Sequence, residues 1–295
     1  MKVMQDTGDI FSALGISAQD NIRIQDFQID SRKVRKNSVF FGLSGSNEDG
    51  SIYGQEAIAK GASLAIIKST KPSLKNKLKS NILSVPKPEE SLIALAKSAL
   101  KKFPGPIVGI TGSNGKTTTK NILHAGINNS FATVNNFNNE IGLPLCALSL
   151  DTKNTVAIFE MGAAKKGDIN FLSRLIKPDI GIITHIGHSH LEGLRSLDGV
   201  LKVKSELIDN INKNGIAILP EGPHIKYWKG LRKDITFRTF GLNDAASFFA
   251  THIKSTKAGT AFTINSPCLR KKIKIQTCLL GNHNILNILA GFIAT

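Results

Sequence analysis

The stretch 109–119, GITGSNGKTTT, constrains the fold of this chain more than any other part of the sequence. It follows the short apolar run Ile107-Val108, which predicts a buried strand, and it precedes residues 120–125, which predict a helix. A glycine-rich turn between a strand and a helix is typical of loops that bind phosphate, because backbone N–H groups and the helix N-terminus attract an anion. Lys116 adds a full positive charge, and the hydroxyl of Thr117 can ligate Mg²⁺.

The stretch departs from the general phosphate-loop pattern, because its glycines lie at 109, 112 and 115 and position 110 is Ile. A glycine- and asparagine-rich turn with a chance Lys-Thr pair is the alternative interpretation. The flanking strand and helix favour a phosphate loop, since both lie where the mechanism needs them. The residues predicted to bind the nucleotide are Gly112, Ser113, Asn114, Gly115, Lys116, Thr117 and Thr118.

Strand and helix signals alternate along the chain and predict an α/β fold. We expect a small N-terminal α/β domain over residues 1–84 and a central domain over 85–295, whose mostly parallel sheet is flanked by helices. Residues 235–278 carry shorter alternating runs, which predict antiparallel strands. A last helix is expected to begin near Asn282 and to be still continuing at Thr295, and its lack of a C-cap suggests that sequence is missing after it.

The composition excludes several classes of protein. Three cysteines without a CxxC pair, an N-terminus without a signal-peptide core and the lack of a long apolar run predict a cytoplasmic protein with no membrane span. The net charge of +16 invites a nucleic-acid interpretation, but the lysines lie mostly in loops or on solvated faces and do not alternate with aromatic residues. We therefore expect an anionic small-molecule substrate and no nucleic acid, and we expect a monomer.

Polar residues follow the predicted parallel strands, at the edge of the sheet where ligands bind in open α/β folds. Glu160 ends an apolar run, so its carboxylate requires either Mg²⁺ beside a nucleotide or a nearby lysine. His185, His188 and His190 follow the next strand. Zinc lacks a fourth ligand of evident spacing, so the remaining interpretations are one histidine near a Mg²⁺–nucleotide site or loop histidines bonded to backbone.

Lys204 occupies the apolar stripe of a predicted helix over residues 196–211, in line with Leu201 and Ile208. Its side chain either snorkels to solvent, which the spacing alone favours, or is held for chemistry. Burial lowers the pKa of a lysine and makes its neutral amine reactive.

Two asparagine-rich stretches have a structural and a functional interpretation each. Asn138 and Asn139 precede a helix, so this stretch is either a turn with Asn139 as N-cap or a loop that grips a polar substrate. Asn284 and Asn287 share one face of the last helix, where they either contact the edge of a base or cap the helix.

Four stretches together resemble the Mur ligases, the ATP-dependent amino-acid ligases of peptidoglycan synthesis. They are TGSNGKT at 111–117, EMGA at 160–163, HLEG at 190–193 and GNHNILN at 281–287, and they occur in the family's order and spacing. NNFNNEIGLP at 135–144 is most similar to the members that join D-alanyl-D-alanine to UDP-N-acetylmuramoyl-tripeptide. It argues against ligases that add a single amino acid and against folate-polyglutamate ligases.

The resemblance implies a reaction in which ATP phosphorylates the terminal carboxylate of the tripeptide and the amine of D-alanyl-D-alanine attacks the acyl phosphate. It implies that Lys116 holds the ATP phosphates and that two Mg²⁺ ions are bound, one by Thr117 and Glu160 and the second by His190. Lys204 matches a lysine that family members carry as a carbamate, which ligates Mg²⁺. The other implied contacts are those of Asn284 and Asn287 with adenine, of Ser31 and Arg32 with the UDP group, and of Asn138 and Asn139 with the sugar-peptide.

The sequence departs from the family at His185, where Asn is common, and at His188 and Arg195. Family members also have a third, Rossmann-like domain, which these 295 residues lack. We therefore expect either a fragment or a protein that cannot complete the reaction alone. An inactive module that binds a nucleotide and a UDP-sugar is the non-enzymatic alternative.

Overall fold

The computed structural model describes residues 2–17, 21–45, 48–69, 77–79, 81–187 and 196–295. The chain divides into two compact units, Met1–Pro104 with Pro144–Lys153 and Gly105–Leu143 with Asn154–Thr295. The functional domains 1–84 and 85–295 stay a prediction. The compact units differ from them in two segments, since both the helix Pro88–Lys102 and the segment Pro144–Lys153 belong to the first unit.

The first unit is built on a five-stranded sheet with the order β1-β2-β3-β5-β4, in which only the β4–β5 pair is antiparallel. Phe40 and Ala65 on the sheet pack with Ala57 of α2 in a common core. The side chain of Asp6 accepts a hydrogen bond from the Asp9 N–H and so caps α1. The elements are β1 (Asp26–Gln28), β2 (Ser38–Phe41), β3 (Leu64–Lys68), β4 (Lys77–Lys79), β5 (Ile82–Val85), α1 (Thr7–Ala13), α2 (Gly54–Ala59) and α3 (Pro88–Lys102), with 3₁₀ turns at Ser31–Lys33 and Gly50–Tyr53.

The second unit is built on a nine-stranded sheet with the order β14-β13-β12-β11-β10-β9-β6-β8-β7. The strands are β6 (Ile107–Thr111), β7 (Phe131–Ala132), β8 (Ala157–Glu160), β9 (Ile180–Ile183), β10 (Ile216–Pro220), β11 (Thr236–Gly241), β12 (Phe248–Thr256), β13 (Gly259–Asn265) and β14 (Ile273–Thr277). The helices that follow α3 along the chain are α4 (Lys116–Gly126), α5 (Gly142–Ala147), α6 (Asp168–Ile176), α7 (Leu197–Asp209), α8 (Ile225–Leu231) and α9 (Asn282–Ile293).

Helices cover both faces of this sheet. Val108 and Ile110 of β6 pack with Leu123 of α4 and Leu289 of α9 in one buried core. Gly109 lies between them and points to the other face, where a Cβ atom would lie 3.2 Å from Ile176 of α6 and 3.4 Å from Leu207 of α7. The predicted α/β fold with a mostly parallel sheet flanked by helices is confirmed.

The prediction of antiparallel strands throughout 235–278 is wrong for β11. This strand pairs in parallel with both β10 and β12, whereas the β12–β13 and β13–β14 pairs are antiparallel as expected. The reason is α8, a short helix between β10 and β11, which makes their connection a crossover. The sequence IKYWKGL was not recognised as a helix, because it is short and cationic. The last helix begins at Asn282 as predicted but ends at Ile293, before Thr295.

Candidate active site

The loop between β6 and α4 has the geometry of a phosphate-binding turn. Gly112 and Gly115 have φ angles of 150° and 83°, which residues with side chains rarely adopt. A Cβ atom at Gly112 would lie 2.1 Å from Thr184 Oγ1, and one at Gly115 would lie 2.3 Å from Asn287 Oδ1. Both glycines are therefore required by backbone conformation and by close approach of a neighbouring side chain.

The neighbouring strand β9 holds this loop from the side. Thr184, the residue after β9, donates its hydroxyl to the carbonyl of Asn114 at 2.5 Å. The N–H of Ser113 donates to the carbonyl of His185 at 2.8 Å, and its hydroxyl donates to the carbonyl of Gly187 at 2.8 Å. His185 thus contributes a backbone carbonyl, while its side chain is exposed.

The ammonium of Lys116 folds back over the loop. Its Nζ donates to the carbonyl of Gly112 at 2.8 Å and lies 3.5 Å from the carbonyl of Ser113. Burial lowers the pKa of Lys116, and Glu160 acts in the opposite direction. The structure therefore places a positive charge at the turn where backbone N–H groups and the N-terminus of α4 favour a phosphate group.

Glu160 is a buried carboxylate held by neutral groups. It is 4% exposed, its Oε2 accepts from the Thr117 hydroxyl at 2.9 Å, and its Oε1 accepts from Asn138 Nδ2 at 3.1 Å. Within the described ranges, no ammonium or guanidinium group forms an ion pair with it, so the alternative of a Glu–Lys pair is not found there. A buried carboxylate and a hydroxyl beside a phosphate loop are hard oxygen donors that fit Mg²⁺.

Lys204 lies inside α7 with only 1% of its surface exposed, which confirms the predicted core position and excludes snorkelling. Burial lowers its pKa to about 8, and the like charge of Lys116 adds to this shift, while Asp168 and Glu206 oppose it. In the part of the chain that the structure describes, its ammonium has no hydrogen-bond or ion-pair partner. A lysine in this state fits a neutral, reactive amine or a modified one.

The predicted ligand His190 lies outside the described residues, as do His188 and Arg195. Among the residues that are described, no group of three or more His, Cys, Asp or Glu side chains could hold a metal ion. The metal set predicted from Thr117, Glu160, His190 and Lys204 therefore stays a prediction, of which the structure brings the first two into contact.

Asn138 and Asn139 are neighbours in one loop, but their side-chain amides have different hydrogen-bond partners. Asn138 contacts Glu160 through its side chain, and its carbonyl accepts from the Gly162 N–H at 2.8 Å. Asn139 Oδ1 accepts from the N–H of Gly142 at 2.8 Å, so this side chain caps the turn that leads into α5, as the structural interpretation predicted. Both residues line a cavity of about 640 Å³ together with Lys116, Glu140, residues 162–168, Phe171 and Leu172.

The two asparagines of α9 share one face, as the sequence predicts. Asn287 Nδ2 donates to Asn284 Oδ1 at 3.4 Å, and Asn284 Nδ2 donates to the carbonyl of Leu280 at 2.8 Å. Asn287 is 7% exposed, and its Oδ1 accepts from the Thr119 hydroxyl of α4 at 3.4 Å. Asn287 therefore packs against Gly115 of the phosphate loop and bonds to the helix that follows the loop.

Ser31 and Arg32 belong to the first unit and form its first 3₁₀ turn with Lys33. Ser31 is buried, whereas the Arg32 side chain is 85% exposed and makes two hydrogen bonds of 2.9 Å to Asp30. The guanidinium of Arg32 lowers the pKa of Asp30 to about 2. An exposed guanidinium held in one orientation is suited to an anionic group.

Several residues that shape the site were not predicted. One is Thr184, whose hydroxyl holds the loop, and another is Lys120, which follows Lys116 by one helical turn. Glu206 accepts from the N–H groups of Gly167 and Asn170 at 2.9 and 2.8 Å and so fixes the start of α6 beside the cavity. For these three residues, the one signal in the sequence was the spacing of Lys120 from Lys116.

Models of two families match the chain. Residues 110–295 match the Mur ligase middle domain, and residues 23–99 match the Mur ligase family catalytic domain. UDP-N-acetylmuramoyl-tripeptide–D-alanyl-D-alanine ligase of Haemophilus influenzae is 33% identical over 92% of this chain. The Bacillus subtilis ligase of the same name is 31% identical over 90% of the chain. The chain spans 59% and 57% of the length of these two relatives.

Solved structures show the same fold. A crystal structure of MurF from Acinetobacter baumannii has a TM-score of 0.85 with 24% identity and covers 98% of this chain and 64% of its own. The structure of MurF ligase from Thermotoga maritima in complex with ADP has a TM-score of 0.79 with 27% identity and covers 92% of this chain and 62% of its own. None of the described helices is long and apolar enough to cross a bilayer.

Proposed function

Because this chain belongs to the Mur ligase family, we propose that it takes part in the ATP-dependent ligation of D-alanyl-D-alanine to UDP-N-acetylmuramoyl-tripeptide, in the cytoplasmic stage of peptidoglycan synthesis. The observation that carries the proposal is the contact of Thr117 with Glu160 beside the phosphate loop. This contact joins the residue types that bind a nucleotide phosphate and Mg²⁺ at one edge of the sheet.

The proposed reaction has two steps. A carboxylate oxygen of the tripeptide attacks the γ-phosphorus of ATP, and ADP leaves. The amine nitrogen of D-alanyl-D-alanine then attacks the acyl carbon, phosphate leaves, and the nitrogen loses a proton. In such phosphoryl and acyl transfers the protein contributes mainly positioning and charge stabilisation.

The chain's own residues are assigned the following roles in this proposal. Residues 112–118 cradle the phosphates, and Lys116 stabilises the charge that develops during transfer. Thr117 and Glu160 would hold Mg²⁺, which neutralises phosphate charge when bound. His190 would add a ligand to a second Mg²⁺. Lys204, modified to a carbamate, would change from a buried cation into an anionic Mg²⁺ ligand.

Substrate contacts are proposed for residues of both units. Asn138 is expected to contact the sugar-peptide, and Asn139 to shape the same loop as its cap. Arg32 is expected to bind the UDP group together with Ser31. Asn284 is the better candidate for adenine, because it is half-buried, whereas Asn287 is buried and holds the loop through Thr119.

The proposal is tested by the release of ADP from ATP with Mg²⁺, UDP-N-acetylmuramoyl-tripeptide and D-alanyl-D-alanine, with each component omitted in turn. Release that requires both co-substrates supports the proposal and shows that residues 1–295 suffice. Release with a single amino acid in place of the dipeptide would overturn the proposed substrate. If no release occurs, these residues do not form a complete ligase, and they are then at most a nucleotide- and UDP-sugar-binding module.

A further inference from the structure

Lys120 is a buried cation with one neutral partner. It lies one turn after Lys116 on α4, it is 6% exposed, and its Nζ donates to the carbonyl of Thr133 at 2.9 Å. No carboxylate forms an ion pair with it in the part of the chain that the structure describes. It is not among the residues that the sequence or the proposed reaction singles out.

Packing does not explain why this residue is charged. Burial of an ammonium group is costly, and a single carbonyl compensates only part of that cost. A methionine has a similar length and would fill the same space without charge. The hydrogen bond to Thr133 is therefore the feature that distinguishes a lysine from an apolar residue here.

Thr133 lies where the end of β8 needs a partner. The strand β7 ends at Ala132, opposite Ile158, so no residue of β7 pairs with Glu160. Instead, the Thr133 hydroxyl accepts from the N–H of Glu160 at 3.0 Å, and the Thr133 N–H donates to the carbonyl of Ile158 at 3.0 Å. Thr133 is 2% exposed and thus connects Lys120 to the backbone of Glu160 inside the sheet.

Thr133 also precedes the loop that reaches the other side of Glu160. Five residues later, Asn138 donates to Glu160 Oε1 at 3.1 Å. The Lys120 ammonium therefore fixes the start of a segment that contacts Glu160 both through its main chain and through its carboxylate. Displacement of Thr133 would change both contacts at once.

We propose that Lys120 is a positioning residue that holds the Glu160 carboxylate in place through Thr133. The inference rests on the proposed function, in which Glu160 ligates Mg²⁺ beside a nucleotide. In this proposal Lys120 itself contacts neither the Mg²⁺ ion nor the nucleotide. Groups that orient a metal ligand in this way typically contribute about 10- to 100-fold to metal affinity.

The test uses Lys120→Met, Thr133→Val and the double variant in the full chain. Calorimetric titration gives the Mg²⁺ concentration for half-saturation at saturating ADP, and the affinity for ADP without Mg²⁺. We expect each single variant to raise the half-saturating Mg²⁺ concentration about tenfold and to leave Mg²⁺-free ADP binding within about twofold. The double variant should raise the half-saturating Mg²⁺ concentration no further than either single variant does, because both substitutions interrupt the same path from Lys120 to Glu160.

Two controls separate positioning from folding. Lys233→Met removes a lysine of the same unit that also donates to a carbonyl, that of Lys229 at 3.2 Å, but is exposed, and it should leave Mg²⁺ binding unchanged. Thermal unfolding of Lys120→Met should show no loss of stability, since an apolar residue of similar volume replaces a buried charge. If Lys120→Met does not fold, Lys120→Leu takes its place, because Thr133→Val keeps the carbonyl that accepts from Lys120 and tests only the contact of Thr133 with Glu160.

The possible results distinguish failure of this inference from failure of the proposed function. Folded single variants with unchanged Mg²⁺ half-saturation, or effects that add in the double variant, would overturn the inference and leave the proposed function intact. A wild-type chain that binds no Mg²⁺–ADP would overturn the proposed function, and this inference with it.

Discussion

The hydroxyl of Thr117, in the first turn of α4, donates to Oε2 of Glu160, the last residue of β8, at 2.9 Å. These residues are far apart in sequence but meet because β6 and β8 are parallel neighbours, with Ile110 opposite Glu160. The phosphate loop leaves the end of one strand, and the carboxylate stands at the end of the next. The edge of the parallel sheet thus brings together a loop of the phosphate-binding type and a carboxylate of the kind that can ligate Mg²⁺.

Replacement of Glu160 by Gln keeps the shape of the side chain and an acceptor for Thr117 but removes the negative charge. We expect the apparent affinity for Mg²⁺ at saturating ADP to fall by a factor of about 10 to 100, because a carboxylate is a far better Mg²⁺ ligand than an amide. Calorimetric titration with Mg²⁺ at saturating ADP measures this affinity. Glu221, which directly follows β10, offers a control, and Glu221→Gln should bind Mg²⁺ as the wild type does. Equal affinities in Glu160→Gln and wild type would remove Glu160 from the metal site.

Two glycines with nearly the same backbone conformation separate steric effects from strain. Gly112 has a φ of 150° and Gly222 a φ of 151°, but a Cβ atom would meet Thr184 only at Gly112 and would meet nothing within 4 Å at Gly222. We expect Gly112→Ala to lose nucleotide binding by more than about tenfold and to destabilise the chain by about 2 kcal/mol more than Gly222→Ala. ADP titration and urea unfolding of both variants test this. Similar losses in both variants would mean that contact with Thr184 is unimportant.

Lys204 should make stability depend on pH in a defined window. Burial and Lys116 lower its pKa from 10.5 to about 8, so the unfolded chain binds more protons between these values and stability rises with pH there. Below pH 8 the cost of the buried charge is present in full, at about 3 kcal/mol. Lys204→Met should therefore be more stable than wild type at pH 7, and the difference should vanish near pH 10.5.

The measurement is urea unfolding at pH 7 and pH 10 in buffer free of carbon dioxide. Lys202 lies on the same helix but is exposed and paired with Asp198, so Lys202→Met should show no such gain at pH 7. A stability difference between wild type and Lys204→Met that is the same at both pH values would show that Lys204 does not titrate as the structure indicates.

A carbamate on Lys204 can be detected directly. Because burial lowers the pKa of this amine, a larger share is neutral at pH 8 than for an ordinary lysine, and only the neutral amine adds carbon dioxide. We expect a carbamate ¹³C resonance from the chain equilibrated with ¹³C-bicarbonate and Mg²⁺–ADP. The resonance should persist in Lys202→Met and be lost in Lys204→Met. Its absence from wild type would refute the carbamate.

The sequence predicted the positions of candidate residues in the strands, loops and helices better than it predicted their contacts. The phosphate loop and Glu160 were identified because each follows a strand signal, and Lys204 because it interrupts an apolar stripe. The order of strands in the sheet was not readable, so nothing indicated that Thr184 would hold the loop or that Thr133 would meet Glu160. The parallel pairing of β11 with β10 was missed because it depends on α8, whose short cationic sequence has a weak helical pattern.

The buried Asn287 shows a second limit of what can be predicted from the sequence. The spacing of Asn284 and Asn287 predicted one shared helix face, and the structure confirms it. That spacing did not indicate that Asn287 lies against Gly115 and Thr119, since the packing of α9 on α4 is a tertiary contact between distant parts of the chain. Local periodicity identifies a face, whereas the partner of that face depends on the whole fold.

We propose that this chain holds a Mg²⁺–nucleotide at the loop between β6 and α4. The most direct measurement is calorimetric titration of ADP into residues 1–295, with and without Mg²⁺, for wild type and Lys116→Met. We predict saturable one-to-one binding that Mg²⁺ strengthens and that Lys116→Met weakens by a factor of about 10 or more, since a full charge at the phosphates is lost. A folded wild-type chain that binds no ADP, or binding that Lys116→Met leaves unchanged, would contradict a nucleotide site at this loop.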